Sequence, residues 1–455
     1  MKSITINEII NAANGEFFGD NALLSHEIKG VVIDNRKVSK DYLFIPIIGE
    51  RFDGHDFITS AFENGAALSL SSKKLKTDKP YILVKDTLAA FQAIAGYYKS
   101  LFNVKTIGIT GSVGKTTTKE MIASVLSECF DVLKSEGNLN NQSGVPQTLL
   151  RLEEKNEAAI VEMGTNHFGE IESLAKMVRP DFCFMTNIGD SHIEYLGSRE
   201  GILKAKSEML PYMSDNGKVF INGDDILLKT LKDKRDDCIS YGISEENDFY
   251  AKDIKSLGLD GSEFTVCYAE KEIKCFVPSP GLHMVQNAVG AFALGITLGM
   301  NEQTIKNGIA KYEPISGRMC IEHAGSLTIL NDVYNANPSS VKASINVMTN
   351  AQTRKVCILG DMLELGENSP AYHSEIGKYA AEKEMDVLVA VGKLSENTAL
   401  SAIRSGIKTF YYETKEDLIN MLPKVIKRTD TVLVKASRGM QLEKVVEALR
   451  ILYKK

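Results

Sequence analysis

One stretch constrains this chain more than any other: Gly111-Ser112-Val113-Gly114-Lys115-Thr116-Thr117-Thr118. It follows the apolar run Ile107-Gly108-Ile109-Thr110 and opens a helix-compatible segment, Lys119 to Phe130. Strand, glycine turn, Lys-Thr and helix together make a cradle for a nucleotide triphosphate. Glycines let the backbone approach the phosphates, and the N–H groups of the loop and the helix start point at the anion. Lys115 would reach the outer phosphates and the Thr116 hydroxyl would sit on Mg²⁺. The common form of the motif has a further glycine five places before Gly114, where this chain has Ile109. The loop is therefore the shorter Gly-x-x-Gly-Lys-Thr-Thr.

At 455 residues the chain has room for about three domains. A net charge of −6, with both signs mixed along the chain, argues against nucleic acid or an anionic membrane surface as the main partner. Phosphate binding must then be local. The seven cysteines are scattered without a Cys-x-x-Cys, several of them in apolar runs, as reduced core residues of a cytosolic protein would be. No apolar stretch approaches the length of a membrane span, so a soluble, cytoplasmic protein is expected.

The expected fold class is α/β with three domains. Residues 1–84 read as a small α/β unit, with a helix over Thr5–Ala13, strands at Val31–Ile33 and Tyr42–Pro46, and a helix from Phe57 to Asn64. Residues 85–314 form a central, mostly parallel, nucleotide-binding domain, entered through a linker helix over 85–103. Its continuous apolar runs, Ala158–Val161, Phe182–Met185 and Val219–Ile221, suit a sheet buried on both faces. Residues 249–278 alternate polar and apolar, with turn signals at Gly258 and Gly261, which predicts an antiparallel patch. From 315 to 455 the βα rhythm restarts as a second, Rossmann-like unit. Its expected strands are Leu327–Leu330, Val356–Leu359, Val387–Val391, Thr409–Tyr412 and Thr431–Val434. Asn337 before Pro338 fits a helix cap with proline in the first helical position.

Ligand groups of open parallel sheets gather at the carboxyl ends of strands. Glu162 ends one such strand and suits a Mg²⁺ ligand near Thr116, the alternative being a capping or surface acid. His192 lies just past another. His283 and Asn287, four apart, share a helix face that would suit a purine, or is only an ordinary first turn. Arg318 would grip a phosphate, and Asp332 would accept from ribose hydroxyls. Gly360–Gly366 and Lys435–Gly439 also follow strands.

These residues together resemble the Mur ligases, the ATP-dependent amide-forming enzymes of peptidoglycan synthesis. The resemblance is carried by the short loop, Glu162, Asn187…His192, His283…Asn287, Tyr334-Asn335-Ala336-Asn337-Pro338 and Gly360-Asp361-Met362-Leu363-Glu364-Leu365-Gly366, and covers all three domains. It implies ATP and Mg²⁺ as cofactors, with Gly111, Ser112, Val113, Gly114, Lys115, Thr116, Thr117, His283, Asn287, Arg318 and Asp332 on the nucleotide. It implies Thr116, Glu162, His192 and Lys206 on the metals, Lys206 matching a lysine that several members carbamylate. An ammonium would repel Mg²⁺, whereas a carbamate is an anionic oxygen ligand. The catalytic residues so implied are Lys115, His192 and Lys206.

For substrates, the resemblance implies UDP-muramoyl-tripeptide on the N-terminal domain and D-alanyl-D-alanine on the third, which closes on ATP. Asp34-Asn35-Arg36 resembles the family's Asp-Ser-Arg, with Asn35 departing from it. Gly49 to Phe57, with Asp53 and His55, matches its glycine-rich loop, and Asn138 to Pro146, with Asn141, its substrate-facing loop. Tyr334, Asn335 and Asn337 complete the implied substrate set. A monomer is the expectation. Two other readings stay open: a folylpolyglutamate synthase-like ligase, which lacks so large a domain ahead of the loop, and a nucleotide-dependent switch without ligase chemistry.

Overall fold

The computed structural model describes residues 1–49 and 52–454. Glu50 and Arg51 of the expected glycine-rich loop, and Lys455, lie outside the described residues. The chain is mixed α/β and its sheets are mostly parallel. It divides into two compact units, one of Met1–Thr110, Phe130–Phe184 and Ala205–Val219, the other of Gly111–Cys129, Met185–Lys204 and Phe220–Lys455.

In the first unit, helix Ile6–Ala13 starts at Thr5 through a capping box, in which Glu8 Oε2 accepts from the Thr5 N–H at 2.7 Å. A five-stranded sheet follows, in the order Glu16–Phe18, Tyr81–Leu83, Ala66–Ser71, Tyr42–Phe44, Gly30–Val32. Only the first pair is antiparallel. The sequence marks two of these five strands. Ala66–Ser71 is disguised by its serines, which are buried because their hydroxyls bond to backbone carbonyls, as Ser69 Oγ does to Leu70 O at 2.8 Å. Helix Thr87–Ser100, capped by Asp86, buries Phe91, Ile94 and Tyr98. Strand Lys105–Thr110 pairs in parallel with Ala158–Glu162, which pairs on its other side with Val132–Lys134. Ile107, Ile109, Ile160 and Val161 are fully buried, as expected of a strand covered on both faces.

In the second unit, the helix after the glycine loop runs Lys115–Leu126, not from Lys119 to Phe130. Gly114, at φ +82°, turns the chain directly into the helix, so Lys115 and Thr116 occupy its first turn. This helix packs against Leu282–Thr297, which is apolar almost all round and correspondingly buried. The antiparallel patch is present as Phe249–Ser256, Ser262–Tyr268 and Lys271–Val277. Its second hairpin turns at Ala269 and Glu270, both left-handed at φ +42° and +63° without a glycine, so no turn signal marks it.

The C-terminal sheet has the order Cys320–Ala324, Leu327–Asn331, Thr431–Lys435, Lys355–Gly360, Val387–Val391, Lys408–Tyr412. The first pair is an antiparallel hairpin whose outer strand the sequence does not announce; all others are parallel. Apolar layers cover both faces, one around Ile329, Ile358 and Val432, the other around Leu330, Leu359 and Leu433. The last strand of the chain, Thr431–Lys435, sits between Leu327–Asn331 and Lys355–Gly360. The loops after these three neighbouring strands therefore share one edge, the ligand-bearing edge of such sheets. No described helix is long and apolar enough to cross a membrane.

Candidate active site

The glycine loop is held by the segment that follows strand Phe182–Met185. Asn187 clamps it from both sides: its Oδ1 accepts from the Val113 N–H at 2.9 Å and its Nδ2 donates to Val113 O at 2.9 Å. Thr186 Oγ1 donates to the same carbonyl at 2.6 Å, and Ser112 Oγ accepts from the Gly189 N–H at 2.9 Å. A Cβ on Gly111 would come within 1.9 Å of Thr186 Oγ1, so only glycine fits. Lys115 Nζ lies over the loop and donates to Gly111 O at 2.8 Å. Thr116 and Thr118 are buried, and Thr118 Oγ1 donates to Asn287 Oδ1 at 3.1 Å. The structure thus brings Asn287 to the loop's helix. The clamp role of Asn187 is not legible in the sequence, which marks the residue by its position just past a strand end and by the Asn187…His192 segment of the family resemblance.

His283, on the first turn of Leu282–Thr297, is pushed below the usual imidazole range by burial, with Asp332 opposing and Lys435 adding to the shift. Both of these groups belong to the C-terminal sheet edge. There Asp332 accepts from Lys435 Nζ and Ser344 Oγ, both at 2.6 Å, and from the Met319 N–H at 3.1 Å. The Arg318 guanidinium stacks on Tyr334 at 3.8 Å, and Arg438 lies 5.8 Å from the same ring. Asn335 gives its carbonyl to Lys435 Nζ at 3.0 Å. Asn337 caps helix Pro338–Met348 through Oδ1, and its Nδ2 donates to Ser191 Oγ at 3.0 Å. Beside that bond, His192 Nδ1 stands 3.3 Å from Glu364 Oε2.

Ser437, of the Lys435–Gly439 segment, and His373, which sequence reading passes over, hold the loop of Glu364. Ser437 Oγ accepts from the Leu363 N–H at 2.9 Å. The buried His373 accepts from the Met362 N–H at 3.0 Å through Nε2, while its Nδ1–H donates to Ser369 O at 2.8 Å.

In the first unit, Glu162 is 2% exposed at the end of its strand, and its Oε1 accepts from Asn140 Nδ2 at 2.9 Å. Lys206 is 2% exposed, a buried lysine rather than a surface one. The buried Glu162 carboxylate is a hard oxygen donor of the kind Mg²⁺ takes, so it fits that cation. Asn141 Oδ1 accepts from the Gly144 N–H at 2.8 Å and so shapes the loop that begins near Asn138.

Asp34 pairs with Arg36 through both carboxylate oxygens, at 2.9 and 2.8 Å, which holds the Asp34 carboxyl down at about 2. Arg36 is exposed, while Asn35 Nδ2 donates to Ser60 Oγ at 2.9 Å. Asp53 holds Lys73 at 2.7 Å and His55 Nδ1 at 2.6 Å, and His55 Nε2 accepts from the Ser72 N–H at 3.0 Å. Both ring nitrogens of His55 and both carboxylate oxygens of Asp53 are thus taken up in bracing this loop.

Three family models match the chain: "Mur ligase family, catalytic domain" over residues 27–99, "Mur ligase middle domain" over 109–295, and "Mur ligase, glutamate ligase domain" over 317–438. The UDP-N-acetylmuramoyl-tripeptide–D-alanyl-D-alanine ligase of Bacillus subtilis is 38% identical over 93% of both chains. Its Escherichia coli counterpart is 35% identical over 99% of both. Among solved structures, MurF from Acinetobacter baumannii superposes with a TM-score of 0.93 at 30% identity, covering 99% of each chain. MurF ligase from Thermotoga maritima in complex with ADP gives 0.84 at 26% identity, over 92% of this chain and 97% of that one. Full-length matches at this level, over three consecutive family domains, leave one conclusion: the chain belongs to the Mur ligase family.

Proposed function

We propose that the chain joins D-alanyl-D-alanine to UDP-N-acetylmuramoyl-tripeptide at the expense of ATP, in peptidoglycan synthesis. The observation that carries this reading is the 35–38% identity, over nearly the whole chain, to curated enzymes of that name. The proposed domains are 1–84 for the UDP-muramoyl substrate, 85–314 for ATP, and 315–455 for D-alanyl-D-alanine. Both nucleotide substrates are cytoplasmic solutes, which supports a cytoplasmic location. One chain carries all three domains, which supports a working monomer.

The chemistry follows from the poor leaving ability of a carboxylate oxygen. The tripeptide carboxylate attacks the γ-phosphorus of ATP, the bond to the β–γ bridging oxygen breaks, and an acyl phosphate and ADP result. The amine of the dipeptide then attacks the acyl carbon, the carbon–oxygen bond to phosphate breaks, and the amide forms with release of phosphate and a proton. Lys115 and Arg318 offset charge on the transferring phosphoryl group. Asn187 keeps the loop N–H groups aimed, so little reorganisation is needed at the moment of transfer. Asn287, His283 and Asp332 position the nucleoside. Thr116, Glu162, His192 and a carbamylated Lys206 would hold Mg²⁺, which when bound neutralises phosphate oxygens. Holding amine and acyl phosphate in line supplies about 7–11 kcal/mol of the barrier.

An assay of phosphate release with each substrate omitted in turn tests the proposal. Release requiring ATP, UDP-muramoyl-tripeptide and D-alanyl-D-alanine together is expected. Equal release with L-glutamate in place of the dipeptide would overturn it.

A further inference from the structure

Of the four side chains proposed for Mg²⁺, His192 alone brings nitrogen. Mg²⁺ is a hard cation that prefers oxygen, and an imidazole nitrogen is a poor partner for it. Glu364 Oε2, 3.3 Å from His192 Nδ1, places an anionic oxygen directly beside it. We infer that two divalent cations bind, one on Thr116 and Glu162 and a second on His192, and that Glu364, contributed by the third domain, is a ligand of that second ion. The inference rests on the reading of His192 as a cation ligand.

The spacing suits it. Octahedral Mg²⁺ holds its ligands at about 2.0–2.1 Å, which puts neighbouring ligand atoms roughly 3 Å apart. A 3.3 Å pair closes on such an ion with a small side-chain adjustment. The Glu364 side chain is 61% exposed, which leaves its carboxylate open to an ion and to the phosphate that arrives with it, while His192 Nδ1 is itself buried. Among the described residues, no group of three or more His, Cys, Asp and Glu side chains forms a ready metal cage. Two protein ligands completed by phosphate oxygens and water is how Mg²⁺ sites on nucleotides are usually built.

Both residues are also held in place. His192 and Glu364 each have a left-handed backbone, φ +61°, a conformation disfavoured for any residue with a side chain. The Ser191–Asn337 bond, 3.0 Å, fixes the approach from one side. The bonds from Met362 to His373 and from Leu363 to Ser437 fix the Glu364 loop from the other. A shared cation would tie metal occupancy to the position of the third domain, so that the second ion is held only when that domain is in place.

Titration with Mn²⁺ followed by electron paramagnetic resonance, in the presence of a saturating non-hydrolysable ATP analogue, tests this without turnover. The parent chain is expected to bind two Mn²⁺ ions. Glu364→Gln should keep the tighter ion and weaken the other by about tenfold or more, as His192→Ala should. Glu364→Asp, which keeps a carboxylate, should fall between them, and unchanged thermal melting confirms that the variants fold. Two ions of unaltered affinity in Glu364→Gln would overturn the assignment of Glu364 alone. A single ion in the parent would overturn the second-cation reading of His192 together with it.

Discussion

Lys435 donates to Asp332 at 2.6 Å from the end of the neighbouring parallel strand, and the same ammonium holds the Asn335 carbonyl at 3.0 Å. Lys435 is 3% exposed and Asp332 15%. One buried cation thus fixes an acid proposed for the nucleoside and a loop proposed for the substrate. Removing one partner of a buried pair leaves a desolvated charge, which costs about 3–5 kcal/mol. Lys435→Met should lower stability in denaturant by that order. Lys435→Met with Asp332→Asn should lose clearly less than the sum of the single variants. Additive losses would show that the pair is not coupled.

Gly111→Ala should damage nucleotide binding more than folding. The new methyl would meet Thr186 Oγ1 at 1.9 Å and push the loop off the Asn187 clamp. ATP affinity, measured by calorimetry, should fall at least about tenfold, or 1.4 kcal/mol. Thr186→Gly in the same chain should recover part of it, because the obstructing hydroxyl is gone.

Lys115→Ala should abolish phosphate release while circular dichroism and melting stay near those of the parent. Lys115 Nζ bonds across the loop to Gly111 O. Near-normal turnover in this variant would remove the loop from the mechanism.

Lys206→Ala should be inactive and partly rescued by small carboxylates such as formate or acetate. The side chain is buried, and a carbamate there would be an oxygen ligand that a free acid can imitate. Full activity without added acid would exclude a carbamate.

His373 gives a pH dependence of stability with a definite sign. Burial holds its imidazole below the ordinary value, against the opposing pull of the Ser369 carbonyl and Asp361. The unfolded chain takes up a proton near pH 6.5 that the folded chain refuses. The stability is therefore complete above about pH 6.5 and is lost as pH falls from there toward the folded value. The slope is at most about 1.4 kcal/mol per pH unit per group. His283, shifted the same way, adds to it. His373→Gln should flatten, without abolishing, the fall in denaturation midpoint between about pH 7.5 and 5. An unchanged slope would show that His373 is charged in the folded chain.

Patterns among near neighbours are enough to specify the glycine loop, the strands Ala158–Glu162, Phe182–Met185 and Val387–Val391, and the Asn337 cap, and each is found where its pattern places it. Strand Ala66–Ser71 escapes such reading because buried hydroxyls look polar in a sequence, and the Ala269–Glu270 turn because it lacks a glycine. Which distant groups meet is settled instead by the folded arrangement. Lys435 reaches Asp332 across 103 residues because the last strand enters the middle of its sheet, an insertion fixed by packing on both faces. His192 finds Glu364, and Asn187 finds the glycine loop, for the same reason: strand order and the loops it gathers are nonlocal, and spacing along the chain does not encode them.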